Sequence, residues 1–178
     1  MASALRGAQC RHGPRRATGR DQGLGDPDRR AAAGEARIAV VDVSTEIEIA
    51  RPREEVFAYA ADPTNAPAWY ENIKAVERRS PREISFTAEF LRRRLTYVYE
   101  IVEQVSGERL VMRTSEGPFP METTFLFDDA PGGGTRMTLR NRGEPSGFSR
   151  LGAPVLARAM RRANRKDLAR LKEILETA

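Results

Sequence analysis

The chain has 178 residues, of which 40% are hydrophobic, and a formal charge of +5. That length allows one domain with an appendage rather than two full domains. Its one Cys, Cys10, and one His, His12, exclude a disulfide framework and do not close a structural zinc site, and Ser–His or Cys–His nucleophilic chemistry would need the N-terminus to fold back.

The charge is uneven. Residues 1–36 hold seven Arg against four acidic residues, whereas residues 37–178 hold 23 basic and 21 acidic ones. The first segment has no apolar period and cannot bury enough surface to offset ordering. It reads as a disordered tail or an overextended start of translation, with an Arg-rich targeting or nucleic-acid-binding arm as the alternative. The expected domain spans residues 37–178. Its near balance of charge argues against nucleic acid. No apolar run approaches ~20 residues and there is no apolar signal core, so a cytoplasmic protein without integral membrane association is expected, with no cofactor.

From Ile38 the pattern changes. Val41, Val43, Thr45, Ile47 and Ile49 alternate with Asp42, Ser44, Glu46 and Glu48, the period of a half-buried strand. A helix is predicted over 51–63, with Pro52 in its first turn and Glu54 and Glu55 at the positive end of the dipole. Asp62–Pro63 stops it and begins a second short helix running to about Ile73.

Strands follow. The spacing predicts a short one at 73–79, then 84–90 with Ile84, Phe86, Ala88 and Phe90 on one face. The next carries Leu95, Tyr97, Tyr99 and Ile101, and Arg92, Arg93 and Arg94 fall at the turn between the two. That Arg run reads as a solvated hairpin tip, with contact to an anionic surface as the alternative. Leu110, Met112 and Thr114 define another strand. The breaker-rich segment 116–120, containing Glu116, Pro118 and Phe119, reads as a turn near an opening. Met121, Thr123, Phe125 and Phe127 form the next face. DDAPGGG is a turn, and Met137, Leu139 and Asn141 mark the last strand.

Pro154 to Thr177 reads as one long helix, with Pro154 in its first turn and no later Gly or Pro. At about 100° per residue, Leu156, Ala159, Met160, Ala163, Leu168, Leu171, Ile174 and Leu175 share one arc. Arg158, Arg161, Arg162, Arg165, Lys166 and Lys172 cover the opposite one, a solvated face or a docking surface for an acidic membrane or nucleic acid. Asn164 and Asp167 break the apolar arc, three residues apart and so neighbours. Buried polar groups need partners. Asp167 either pairs with a neighbour such as Arg170, or points with Asn164 into a space between helix and sheet.

Consecutive strands with segregated helices predict an α+β fold: a curved antiparallel sheet wrapped around the long C-terminal helix. Phe86, Phe90, Tyr97, Tyr99, Met112, Phe125, Phe127 and Met137 make its inner face large in side chain.

The segments IEIARPREEVFAYAADPTNAPAWYENI (Ile47–Ile73), GPFPM (Gly117–Met121) and NRGEP (Asn141–Pro145), in this order of elements, resemble the helix-grip SRPBCC (START-related) superfamily, in particular its polyketide cyclase/dehydrase-like branch. The resemblance covers about Val41 to Leu175. It implies a deep cavity between sheet and C-terminal helix that holds hydrophobic small molecules. Trp69 and Tyr70 then become a wall near one end, or else ordinary packing under the short helix. Two functions are compatible with this: a module that binds or carries an apolar or aromatic ligand, or a cyclase/dehydratase-type enzyme. The second needs a general acid and base at the substrate, yet Glu46, Glu48, Glu89, Glu100 and Glu122 all fall on the polar side of their strands. The residues expected to line the site are Trp69, Phe86, Phe90, Tyr97, Tyr99, Met112, Phe119, Phe125, Met137, Asn141, Met160, Asn164 and Asp167. The expected partner is a hydrophobic small molecule; neither oligomeric state nor turnover is legible.

Overall fold

The structure, a computed structural model, describes residues 40–90, 93–117, 120–144 and 152–177. The expectation for residues 1–36 lies outside them, as do those for Arg92, Pro118 and Phe119 and for the side chains of Phe90 and Arg93. Strand β1 (Val41–Ile49) buries Val41, Val43, Thr45 and Ile49 and exposes the four polar residues between them. Helix α1 (Arg53–Ala60) starts directly after Pro52 and buries Val56, Phe57 and Ala60. A carboxylate oxygen of Asp62 accepts the Thr64 N–H at 2.9 Å and caps the 3-10 turn Pro63–Asn65, which leads into the one-turn helix α2 (Ala66–Trp69).

The chain then runs as a meander: β2 (Ile73–Arg78), β3 (Glu83–Phe90), β4 (Arg93–Val105), β5 (Arg109–Glu116), β6 (Met121–Asp129) and β7 (Thr135–Gly143). The strands form one antiparallel sheet in the order β1-β7-β6-β5-β4-β3-β2. It curls as a half-barrel, and the long helix α3 (Ala153–Thr177) closes the chain. This is the α+β helix-grip arrangement that the order of elements predicts.

Two details depart from the periodicity. Strand β4 extends past Ile101, and its pairing with β5 slips between Val98 and Tyr99 and between Ile101 and Glu103. Each slip breaks the two-residue period, so the strand outlasts the alternation that marks it, and Val98 is buried although its neighbours Tyr97 and Tyr99 are only half-buried. In α3, Ala159 is exposed, and no residue before Asn164 is buried; the buried set is Asn164, Asp167, Leu168, Leu171 and Leu175. An arc drawn at a constant angle carries no information on where along the helix the packing begins.

The second half of α3 is anchored at its end. Arg51 donates to the Leu175 carbonyl, Lys172 to the Glu48 carbonyl, and the Ala50 N–H to the Glu176 carboxylate, each at 2.7 Å. Arg51 thereby satisfies one of the carbonyls that a helix C-terminus leaves open. Beside this junction, the β6–β7 turn passes so close to β1 that a Cβ on Gly134 would overlap the Ile49 carbonyl oxygen. That neighbour is backbone and cannot swing aside. Gly134→Ala is therefore expected to lower stability by about 1–3 kcal/mol. A urea midpoint equal to the wild type would show that the strand end yields freely.

Candidate functional site

The inner face of the sheet carries a cavity of about 150 Å³. Its roof is the segment from α1 to α2, contributing Ala60, Ala61, Pro63, Ala66, Trp69 and Tyr70. Its floor comes from β2 to β7. Among the residues singled out from sequence, Trp69, Phe86, Tyr97, Tyr99, Met112, Phe125 and Asn141 line it. Phe90 and Phe119 cannot be placed against it, since their side chains lie outside the described residues.

The other four stand elsewhere. Met137 is fully buried in the core, and Met160, Asn164 and Asp167 are on α3, which contributes nothing to the cavity wall. Among the described residues, this cavity lies between the sheet and the short helices. The reason is visible at Asp167. Its carboxylate accepts the Glu71 N–H at 3.0 Å, just past the end of α2. The side chain faces the chain that roofs the cavity and not the cavity itself. This amide, rather than Arg170, is its partner; no ion pair joins Asp167 to Arg170 among the described residues.

Aromatic contacts tie the roof to the floor. Trp69 stacks on Tyr70 with ring centroids 3.8 Å apart and leans on Phe125 at 6.0 Å. Phe57 meets Phe127 edge-on at 5.3 Å, and Phe86 meets Tyr99 in the same way at 5.7 Å. Such pairs add to plain area burial. Sequence reasoning set Ala88 on the inner face but named none of the small residues of the wall, Ala60, Ala66 and Ala88, as lining the site. Alanine has no signature in a periodic pattern, yet its missing bulk is what leaves room.

One polar row crosses this apolar space. The register sets Thr123 opposite Asn141, and the Thr123 hydroxyl donates to the Asn141 Oδ1 at 2.9 Å. Asn141 Nδ2 then donates to Asn164 Oδ1 on α3 at 3.2 Å. The Tyr99 hydroxyl lies 3.4 Å from the Met121 sulfur. Burial pushes the Tyr99 hydroxyl up to about 12, with a hydrogen bond to Thr123 partly opposing it. Burial also raises Tyr97, and raises Tyr70 strongly with help from the Asp167 charge. Four buried side-chain atoms have no hydrogen-bond partner among the described residues: the indole N–H of Trp69, the Nδ2 of Asn164, the Oγ1 of Thr45 and the Nε of Arg53.

On the opposite side of α3, Arg158, Arg161, Arg162 and Arg165 surround an open surface depression with Lys166 and Ala169. They are exposed, and Lys166 faces Glu71 at 3.5 Å. No group of three or more His, Cys, Asp or Glu side chains among the described residues could hold a metal ion, and no described helix is long and apolar enough to cross a membrane.

With this geometry in view, the comparisons with known proteins agree on a class. The family model described as polyketide cyclase / dehydrase and lipid transport matches residues 40–176. The chain belongs to that family, within the START-related SRPBCC superfamily. Among solved structures, it is similar to a START superfamily protein from Mycobacterium smegmatis (TM-score 0.68, 14% identity, covering 76% of this chain and 97% of that one). It is also similar to a Thermus thermophilus protein (TM-score 0.66, 23% identity, 77% and 99% covered). A third is the Zhui aromatase/cyclase of a Streptomyces species (TM-score 0.63, 16% identity, 77% and 94% covered). At these identities the likeness establishes the fold alone. No curated protein matches the chain.

Asp167 generates a pH prediction. Burial raises its pKa to about 6, outweighing the Glu71 N–H that lowers it. A carboxyl whose folded pKa exceeds its unfolded one stabilises the fold fully below the unfolded value, near 3.8, and this stabilisation is lost as pH rises through about 6. Asp167→Asn keeps an acceptor for the Glu71 N–H and cannot ionise. Relative to wild type, its stability should therefore improve between pH 4 and pH 7, by roughly 1–2 kcal/mol after allowance for solvent screening. Urea titrations across that range check this, and a difference independent of pH would contradict it.

Proposed function

We propose that the protein binds a hydrophobic small molecule in the cavity beneath α1 and α2, as a carrier or sequestering module. The observation that carries this reading is the cavity itself: apolar walls with a few polar groups, Tyr99, Thr123 and Asn141, along one row. That combination suits orientation of a ligand without chemistry on it. The family's description, which includes lipid transport, supports the same reading. A cytoplasmic location without a nucleic-acid partner belongs to this reading, supported by the near balance of charge over residues 37–178.

A cyclase/dehydratase-type enzyme is the second reading, supported by the likeness to the Zhui aromatase/cyclase. Such chemistry needs an acid and a base near the substrate with pKa values close to the working pH. The ionisable side chains on the described cavity wall are Tyr70, Tyr97 and Tyr99, all raised above the ordinary tyrosine value. Hydroxyls of that kind favour hydrogen-bond donation over proton transfer near neutrality. Asp167, with the more suitable pKa, is turned to the Glu71 N–H.

Filling the cavity tests the binding role. Ala88 lines it and is only half-buried, so Ala88→Leu can grow into the space. The variant should hold its melting temperature, or gain up to about 1 kcal/mol of stability. It should lose most of its stoichiometric binding of an environment-sensitive apolar dye. Undiminished dye binding by a folded Ala88→Leu protein would remove the cavity from consideration.

A further inference from the structure

We propose that the exposed face of the first half of α3 docks the protein on an anionic lipid surface, peripherally and without crossing it. The inference goes beyond the binding role proposed above and does not depend on what the cavity holds.

The charge of α3 is one-sided. Residues 153–166 hold five cations, Arg158, Arg161, Arg162, Arg165 and Lys166, and no acidic residue, whereas residues 167–177 hold three acidic residues and two basic ones. The five are exposed and surround one depression with Ala169. Elsewhere the surface sets cations against carboxylates: Arg113 meets Glu122 at 2.7 Å and Arg136 meets Glu48 at 2.9 Å. The four arginines of this face make no hydrogen bond or ion pair among the described residues, and Lys166 reaches Glu71 only at 3.5 Å.

This arrangement works against the helix. Arg158 stands three and four residues before Arg161 and Arg162, Arg161 stands four before Arg165, and Arg162 four before Lys166. Each cation thus has a like charge as its neighbour on the next turn, which destabilises a helix. A face that repels itself when bare is relieved by a partner that brings negative charge.

The class of partner follows from what stands among the cations. Val155 is 71% exposed, on the same helix. At about 100° per residue it lies within ~60° of Arg158, Arg162 and Lys166, inside the basic face. No aromatic residue, the usual anchor of a protein interface, occurs anywhere in α3. A nucleic-acid backbone offers the valine nothing apolar. A bilayer offers both parts: anionic headgroups for the guanidinium groups, and the acyl boundary just beneath for Val155. Through Lys166 and Glu71 the face also borders the segment that roofs the cavity.

The test uses the full chain, residues 1–36 included, in sedimentation with lipid vesicles. Vesicles of equal parts phosphatidylglycerol and phosphatidylcholine should bind it, those of phosphatidylcholine alone should not, and added salt should release it. Arg158→Gln combined with Arg162→Gln should lower the partition about twentyfold, since each cation at an anionic surface is worth roughly fivefold. Dye binding by that variant should be unchanged, and its urea midpoint no lower than the wild type, because repelling charges have been removed. Val155→Ser should weaken vesicle binding severalfold and leave retention on heparin unaltered. Wild-type partition by the arginine variant would assign any vesicle binding to the rest of the chain, the basic N-terminal segment included, and overturn the inference. So would binding indifferent to lipid charge. If heparin or a short DNA duplex binds at least as tightly at the same salt, and Val155→Ser changes nothing, the face serves a soluble polyanion and the lipid assignment fails. Loss of dye binding with vesicle binding intact would count against the cavity reading and leave this one standing.

Discussion

A sheet of seven strands is wider than one helix can cover, and most of this structure follows from that mismatch. Six inter-strand steps of about 4.8 Å span roughly 29 Å, against a helix diameter of about 10–12 Å. Curling narrows the gap without closing it. The long helix α3 packs over β1, at one edge of the sheet. The inner faces of β2 to β5 need a second cover, and α1, the 3-10 turn and α2 supply it. The cavity is the space that this second, shorter cover roofs without filling.

What holds the second cover in place is partly apolar and partly polar. Trp69, wedged between Tyr70 and Phe125, carries most of the apolar area of α2. The bond from the Glu71 N–H to Asp167 then ties the end of α2 to α3. A one-turn helix has no stability of its own, so its position is set by these contacts. Asp167 thus acts on the cavity through the roof, by fixing the backbone that carries Trp69 and Tyr70. The row Thr123–Asn141–Asn164 does the same from the floor, linking sheet to helix across the apolar layer. Both links set charged or polar atoms inside the core, where they are costly unless partnered. Among the described residues four buried side-chain atoms remain without a hydrogen-bond partner, and two of them, on Trp69 and Asn164, lie in this layer.

The family and the site speak to different questions. Membership of the polyketide cyclase / dehydrase and lipid transport family defines the scaffold. The scaffold does not choose between carrying a molecule and converting it. That choice lies with the groups on the wall, which here are aromatic rings, small aliphatic residues, hydroxyls and amides.

Much of the fold was legible in the chain alone, because its signals are local. The alternation in Val41–Ile49, the breakers of DDAPGGG and the uninterrupted helix formers after Pro154 each need only their neighbours to be read. So did the inward set of Asn164 and Asp167, from their angle on the helix. What was not legible was the partner across space. Nothing near Asp167 in sequence points to the amide of Glu71, 96 residues away, whereas Arg170 lies within a turn. Periodicity could place Met137 and Met160 on inward faces, but not say that the cavity lies away from them. Nor could it give weight to Ala60, Ala66 and Ala88, whose contribution is the volume they leave empty. Periodicity assigns a residue to a face; only the packing of one element on another decides whether that face meets protein or a void.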